Sequence, residues 1–414
     1  MTIVTHILDQ MPAINKPQRK FLPALFATLL AVRGRVNFRN LARYSTYSQR
    51  THQRQFQQPF DFPSFNSRAI AQVTNASTVL LVAQDATFIR KSGKQTYGLD
   101  KFWNGCTHRS ERGLELSAIA ILDVARRTAY PLSAKQTPPR PISRKEPSSQ
   151  LAARQRNSQP EETRIDFYLQ HLAETAPCLP AQVRYAVFDG AFAKHKFVAG
   201  VRGLDLQLIS LLRSDANLRY LYTGAHRGRG RPKAYDGKVT FSELSRLECA
   251  GEVEPQVTLY TGVVNSVSLK RNIRICVVVN RTKPAKPRYV VLFSTDCELS
   301  AQTIYDYYTL RFQIEFLFRD AKQFTGLQDC QSRAKETLHF HFNLALASVG
   351  VTKIEALKEQ AMPQPQVFSL ASRKQRAFNE HLLDEVISKL ALEPSLIKNH
   401  PQYEYLRTYG AIAA

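Results

Sequence analysis

No Cys-x-x-Cys pair occurs in this sequence. Its six cysteines (Cys106, Cys178, Cys249, Cys276, Cys297 and Cys330) are scattered. That argues against a zinc ribbon and a disulfide framework, and it fits a reducing, intracellular compartment. No apolar run approaches the length of a membrane span. The opening stretch, MTIVTHILDQMPAINK, lacks the basic start and long apolar core of a secretory signal. No internal repeat is visible. Acidic residues are scarce: 34 Asp and Glu face 57 Lys and Arg, which leaves a net charge of +23 and a pI near 9.9. Such a field favours a polyanionic partner, nucleic acid first and an acidic membrane surface second. The apolar share, 43% of 414 residues, is ordinary for a globular protein, and the length allows two or more domains.

Between Asp9 and Asp61 there is no acidic residue but nine Lys and Arg. Residues 17–33 carry an apolar stripe at helical spacing, closed by Gly34. NFRNLARYS predicts a second, short helix capped by Asn37, and TYSQRTHQRQFQQ predicts a third, basic one. This order suggests a helix-turn-helix-like DNA reader over residues 1–76, with Arg50, His52 and Arg54 facing the groove. A basic bundle that merely supports the next domain is the alternative. PFDFPSF (59–65) reads as an extended, Pro-punctuated connector.

STVLLVAQD predicts a buried strand ending in Asp85, followed by a Gly-punctuated loop or hairpin. LELSAIAILDV (114–124) and TAYPLSAKQT (128–137) predict a strand pair with a tight turn at 125–127. Residues 133–160 hold six cations and one acid among Pro, Ser and Gln, the composition of a flexible basic loop. EETRIDFYLQHLAETAP predicts an amphipathic helix. RYAVFD (184–189) predicts a second strand ending in Asp189, with Gly190 turning the chain into a helix and LQLISLLR (206–213) forming the next strand. Arg227, Arg229, Arg231 and Lys233 lie in a Gly-rich run, either a backbone-tracking arm or a solubilising loop. VTLYTGVVNSV, LKRNIRICVVVN and PRYVVLFSTD then predict a β-rich insertion over 217–288.

From Ser300 the chain runs without Gly or Pro to Thr325 and meets Gly326, which predicts one Ser300-capped helix. At about 100° per residue, Tyr308, Arg311, Glu315, Arg319 and Lys322 fall within roughly 80° of one another. Tyr307, Phe312 and Phe316 point elsewhere and are expected to pack. One carboxylate among three cations and a phenol suits a metal ligand beside phosphate contacts; a solvated charged face is the alternative. With Asp85 and Asp189 it makes three carboxylates, enough to hold two Mg²⁺ ions for in-line phosphoryl displacement. Helices are expected over 335–360 and 368–392. His339 and His341, two apart, read as packing or solvated residues rather than metal ligands.

Tyr308, Arg311, Glu315 and Lys322 match, in every spacing, the Tyr-x2-Arg-x3-Glu-x6-Lys signature of a branch of the DDE transposases of bacterial insertion sequences, which the chain resembles. LLVAQDAT around Asp85 and YAVFDGAFAK around Asp189 look like that branch's two aspartate motifs. The resemblance spans roughly residues 77–350. It implies an α/β fold: an RNase H-like mixed-sheet catalytic core over 77–216 and 289–360, interrupted by the β insertion, with helical N- and C-terminal regions (1–76 and 361–414). It implies Mg²⁺, with Mn²⁺ able to substitute, on Asp85, Asp189 and Glu315, and phosphate contacts from Tyr308, Arg311 and Lys322. Arg319 is left as a phosphate contact or a Glu315 partner. The implied partners are double-stranded DNA, as transposon ends and target, and a second copy of the chain in the active complex, in the cytoplasm on the nucleoid. Some relatives form a DNA hairpin and stack a flipped base on an insertion Trp. The one Trp here, Trp103, lies outside the insertion, so Tyr220, Tyr222 or Tyr235 would have to substitute. A nuclease that cuts without joining, or a non-catalytic DNA-binding regulator, are the other readings.

Overall fold

Stretches rich in Val, Ile and Leu within residues 80–90, 114–123 and 273–279 supply strands buried on both faces, so they need cover on both sides. The computed structural model describes residues 2–139, 163–225, 231–241, 243–282, 288–359 and 368–412. Its strands are β1 (Leu80–Arg90), β2 (Asp100–Asn104), β3 (Arg109–Asp123), β4 (Thr128–Gln136), β5 (Tyr185–Val187), β6 (Gln207–Leu212), β7 (Leu218–Leu221), β8 (Tyr235–Lys238), β9 (Glu248–Glu254), β10 (Val257–Ser266), β11 (Arg271–Asn280) and β12 (Arg288–Ser294). They form one mixed sheet in the order β2-β3-β1-β5-β6-β12-β11-β10-β7-β8, with β4 also on β3 and β9 on β10. The run β4-β3-β1-β5-β6, with antiparallel β4, β3 and β1 followed by parallel β5 and β6, is an RNase H-like core. The β3–β4 pair and its turn lie where the sequence predicts them, and Arg127 takes a positive φ of 48° there.

The inserted strands continue the core sheet. β12 pairs antiparallel with β6, Leu292 opposite Leu211, and β11 and β10 follow. The module is thus hydrogen-bonded edge to edge with the core.

The N-terminal helices are α1 (Thr2–Asp9), α2 (Lys16–Ala31), α3 (Phe38–Arg43), α4 (Gln49–Gln55) and α5 (Phe62–Ala71). Asn37 and Ser48 cap α3 and α4 by accepting the Asn40 and Thr51 N–H groups at 2.9 and 3.2 Å. The stretch expected as an extended connector is instead mostly α5, because Asp61 accepts the Ser64 N–H at 3.0 Å and starts a helix. Phe21, Phe26, Phe65 and Ile70 share one apolar core with Leu80, Val82 and Ile119, so these helices pack directly on the sheet.

The remaining helices are α6 (Arg164–Thr175), α7 (His195–Arg202), α8 (Ala301–Leu310), α9 (Gln313–Phe324), α10 (Lys335–Glu359), α11 (Leu370–Lys389), α12 (Pro394–Lys398) and α13 (Tyr403–Thr408). α10 divides its side chains between the two cores: Phe340, Leu344 and Val351 join the first, Phe342, Ala345 and Val349 the second. His341 is buried in it and bonds the Gly326 carbonyl at 2.7 Å, while His339 stays at the surface. The basic stretch expected as a loop at 133–160 lies outside the described residues from 140 onward. Among the described residues no helix is long and apolar enough to cross a membrane.

Candidate active site

Asp85 does not end its strand. β1 runs on to Arg90, which places Asp85 near its middle, opposite Ala118 of β3. Alternation along β1 puts Asp85 on the face of Leu81 and Ala83, the face that α8, α9 and part of α10 cover. Asp189 follows β5 and opens a short 3-10 turn, Gly190–Phe192. Its carbonyl accepts the Ser210 hydroxyl at 3.0 Å and is held against β6. The close approach of Gly190 to that strand (a Cβ would sit 3.1 Å from the Leu211 carbonyl oxygen) leaves little room for a side chain.

The single helix expected from Ser300 is two helices. Ser300 caps α8 by accepting the Thr303 N–H at 3.1 Å. The ladder then tightens: Arg311, Ile314 and Glu315 donate to carbonyls three residues back, and α9 starts afresh at Gln313. This break places Glu315 in the first turn of α9, where a carboxylate suits the helix dipole. Gly326, at φ +74°, turns the chain out after α9.

Arg311, 7% exposed, sits at the break and joins two of the three carboxylates. Its Nη1 is 3.5 Å from Asp85 Oδ2 and its Nη2 3.1 Å from Glu315 Oε1. Its Nε is buried with no partner among the described residues. Burial raises the Asp85 carboxyl to about 6; the Ala86 N–H and Arg311 pull it down, Asp189 and Glu315 push it up. Those influences place all three carboxylates within electrostatic reach of one another. Burial also raises the Tyr308 phenol, against the pull of neighbouring Arg311. Lys322 is half-buried on the next turns of α9, and desolvation lowers its ammonium pKa. Arg319 pairs with Asp320 at 3.1 Å, so Glu315's partner is Arg311 instead.

Tyr307 packs edge-on against Tyr185 as expected, but Phe312 and Phe316 do not pack: they are 50% and 43% exposed. The guanidinium groups of Arg311 and Arg319 lie over them at 4.7 and 5.0 Å. The signal was present in the sequence. Ile314, Leu317, Phe318 and Ala321 form the buried stripe of α9, and Phe312 and Phe316 fall opposite it. His52, expected in a groove, is 0% exposed and lies edge-on against Phe21, because α4 turns that face inward. Arg50 and Arg54 are exposed on α4. Arg231 is exposed, while Arg227 and Arg229 lie outside the described residues. Arg246, Lys233 and Arg219 cover one face each of Tyr220, Tyr222 and Tyr235.

An RNase H-like sheet bearing acidic residues where its strands meet the covering helices fits a nucleic-acid-cleaving enzyme. The chain belongs to the DDE superfamily endonucleases: that family's model matches residues 9–260, a span that includes Asp85 and Asp189 and stops before Glu315. No curated protein matches it. Enzymes of this family act on DNA and generally use divalent metals such as Mg²⁺. The donor set fits such an ion: three carboxylates are hard oxygen ligands, and a cation would offset the cost of burying the Asp85 charge. The spacing does not yet close, since among the described residues no three His, Cys, Asp or Glu side chains group tightly enough to hold a metal. Arg311 supplies the positive charge between Asp85 and Glu315 instead.

Proposed function

We propose that this protein is a transposase that binds the ends of its own insertion sequence, cleaves the DNA there and joins the 3′-hydroxyl ends to target DNA. The supporting observation is the bridge from Arg311 to Asp85 and Glu315: the arginine of the four-residue signature ties the helix carboxylate to the first-strand aspartate. Asp85, Asp189 and Glu315 would hold Mg²⁺ or Mn²⁺, which lowers the pKa of bound water and neutralises charge on a reacting phosphate. The Arg311 guanidinium would offer a phosphate two donors by its fork geometry. Tyr308 and Lys322 hold neighbouring phosphates, Arg319 lies outermost on the same helix, and Arg231 with its flanking arginines follows the backbone. The N-terminal helices read the ends through Arg50 and Arg54. The active complex is a homodimer, each copy taking one end.

The test is a strand-transfer assay with pre-cleaved ends and a target plasmid. Joined product supports the transposase, and hydrolysis alone makes the protein a nuclease of the same fold. Asp85→Ala, Asp189→Ala and Glu315→Ala should each abolish cleavage and leave DNA binding largely intact. Parallel loss of binding would count against the metal-ligand role.

A further inference from the structure

β2 and β3 form a hairpin that projects beyond the end of β1: Arg90 is the last residue of β1 to pair, opposite Gly113, and the hairpin continues through Arg109. The pairing has no register shift, so faces can be followed along it. Asp85 lies opposite Ala118. Arg112 and Ser110 are six and eight residues before Ala118, an even count, and so share its face. Lys101 pairs with Arg112 and Trp103 with Ser110, which puts Lys101 and Trp103 on that face as well. Lys101, Trp103 and Arg112 therefore stand on the same side of the sheet as the catalytic aspartate.

Trp103, the only Trp in the chain, is 58% exposed, although tryptophan normally hides its large apolar surface. Lys101 and Arg112 are exposed, and neither side chain has a partner among the described residues. Of the two acids of the hairpin, Asp100 and Glu111, both on the Phe102 face, Glu111 binds Asn104, Thr107 and Arg109 at 2.9, 3.1 and 2.6 Å. It braces the turn and leaves the Trp103 face cationic. Beneath, Phe102 is buried under the Arg164 guanidinium, which fixes the hairpin to the body. Along β3, Ser110 lies eight residues, about 27 Å, from the level of Asp85. At ~3.4 Å per base pair that is about eight base pairs of duplex.

We propose that the β2–β3 hairpin is a DNA-contacting arm: Trp103 seats against the duplex flanking the cut, and Lys101 and Arg112 hold phosphates on either side of it. The arm rests on the reading of DNA as the substrate, and its test separates the two. A lone tryptophan makes intrinsic emission a direct report on this position. The unaltered protein is titrated with a labelled duplex a few helical turns long, without divalent metal. Label anisotropy gives total binding, and emission excited to the red of tyrosine absorption gives the environment of Trp103.

The arm predicts that Trp103 emission changes in step with anisotropy. It predicts that Lys101→Ala with Arg112→Ala weakens binding about tenfold and lowers the salt slope by about two. Trp103→Ala should weaken binding and Trp103→Phe should restore part of it; all three side chains are solvent-facing, so melting temperatures should not move. Binding by anisotropy with unchanged emission and an unchanged double variant overturns the arm and leaves DNA as substrate. No anisotropy change with the unaltered protein overturns the DNA reading and the arm with it.

Discussion

The Arg311 guanidinium reaches across 226 positions of sequence to Asp85, with Nη1 at 3.5 Å from Oδ2. The same guanidinium holds Glu315 at 3.1 Å. Beside the largely buried Asp85 carboxyl, that cation favours the charged form.

Removing it should therefore move the pH dependence of cleavage. Arg311 pulls the Asp85 carboxyl down toward about 6. In Arg311→Gln that pull is gone, so Asp85 should lose its proton only at higher pH. The acid limb of the cleavage profile should shift to higher pH, and cleavage at its plateau should fall about 10²-fold for the lost phosphate donor. Arg311→Lys keeps the charge but not the fork, and should bring the limb back without restoring the plateau. A limb that stays in place in Arg311→Gln would leave Arg311 as a substrate contact only.

Asp85 should also limit stability above neutral pH. Its folded pKa, about 6, is raised from an ordinary 3.8, mainly by burial. The folded state thus holds the proton more tightly, and stability falls as pH rises from about 4 to about 6, then levels off. Two pKa units correspond to about 3 kcal/mol. Asp85→Asn removes the charge and keeps the shape. In chelator-treated protein its melting temperature should match the parent near pH 4 and exceed it by a few degrees at pH 8. An equal difference at both pH values would mean that burial of the charge is not the cause.

Much of this site was readable from local sequence. The Ser300 cap, the spacing from Tyr308 to Lys322, the Asp189–Gly190 corner and the β3–β4 turn all depend on neighbours within a few residues. The break at Arg311–Phe312 was not readable, since no Gly or Pro marks it. It accompanies a bond from Arg311 to a residue on β1, a tertiary contact that overrides helix propensity. Asp85 read as a strand end because the polar residues after it looked like a loop. Pairing with β3 through Arg90 makes them strand. The edge-to-edge join of β12 and β6 links segments about 80 residues apart, and strand alternation carries no information on partners.

Gly326 tests the turn that frees Lys322 and α10 to lie as they do. At φ +74°, a Cβ there would sit 2.4 Å from Val36 Cβ and 2.9 Å from Asp329 Oδ2, the oxygen that accepts the Val36 N–H at 2.8 Å. Gly326→Ala should combine backbone strain with a clash between two buried segments and cost about 2–4 kcal/mol. Thermal melting at neutral pH measures it, and a loss below about 1 kcal/mol would show that the Val36 segment yields freely.

The N-terminal helices separate a structural histidine from two surface arginines on a single turn and a half of α4. His52 has both ring nitrogens buried without partners among the described residues, and burial lowers its pKa to about 4. A folded pKa below the ordinary 6.5 means that stability is full above about 6.5 and is lost as pH falls toward 4, by about 3 kcal/mol. His52→Leu should flatten that acid dependence and leave DNA affinity unchanged. Arg50 and Arg54 face solvent, and Arg50→Ala with Arg54→Ala should do the reverse. Melting should be unaltered, while binding to duplex carrying inverted repeats, if a search of the DNA flanking the gene finds them, should fall to the level of random duplex. The comparison discriminates because a general loss of charge weakens both duplexes equally, whereas loss of a reader removes only their difference. If the double variant still preferred the repeats, α4 would be a supporting helix and end recognition would lie elsewhere in the chain.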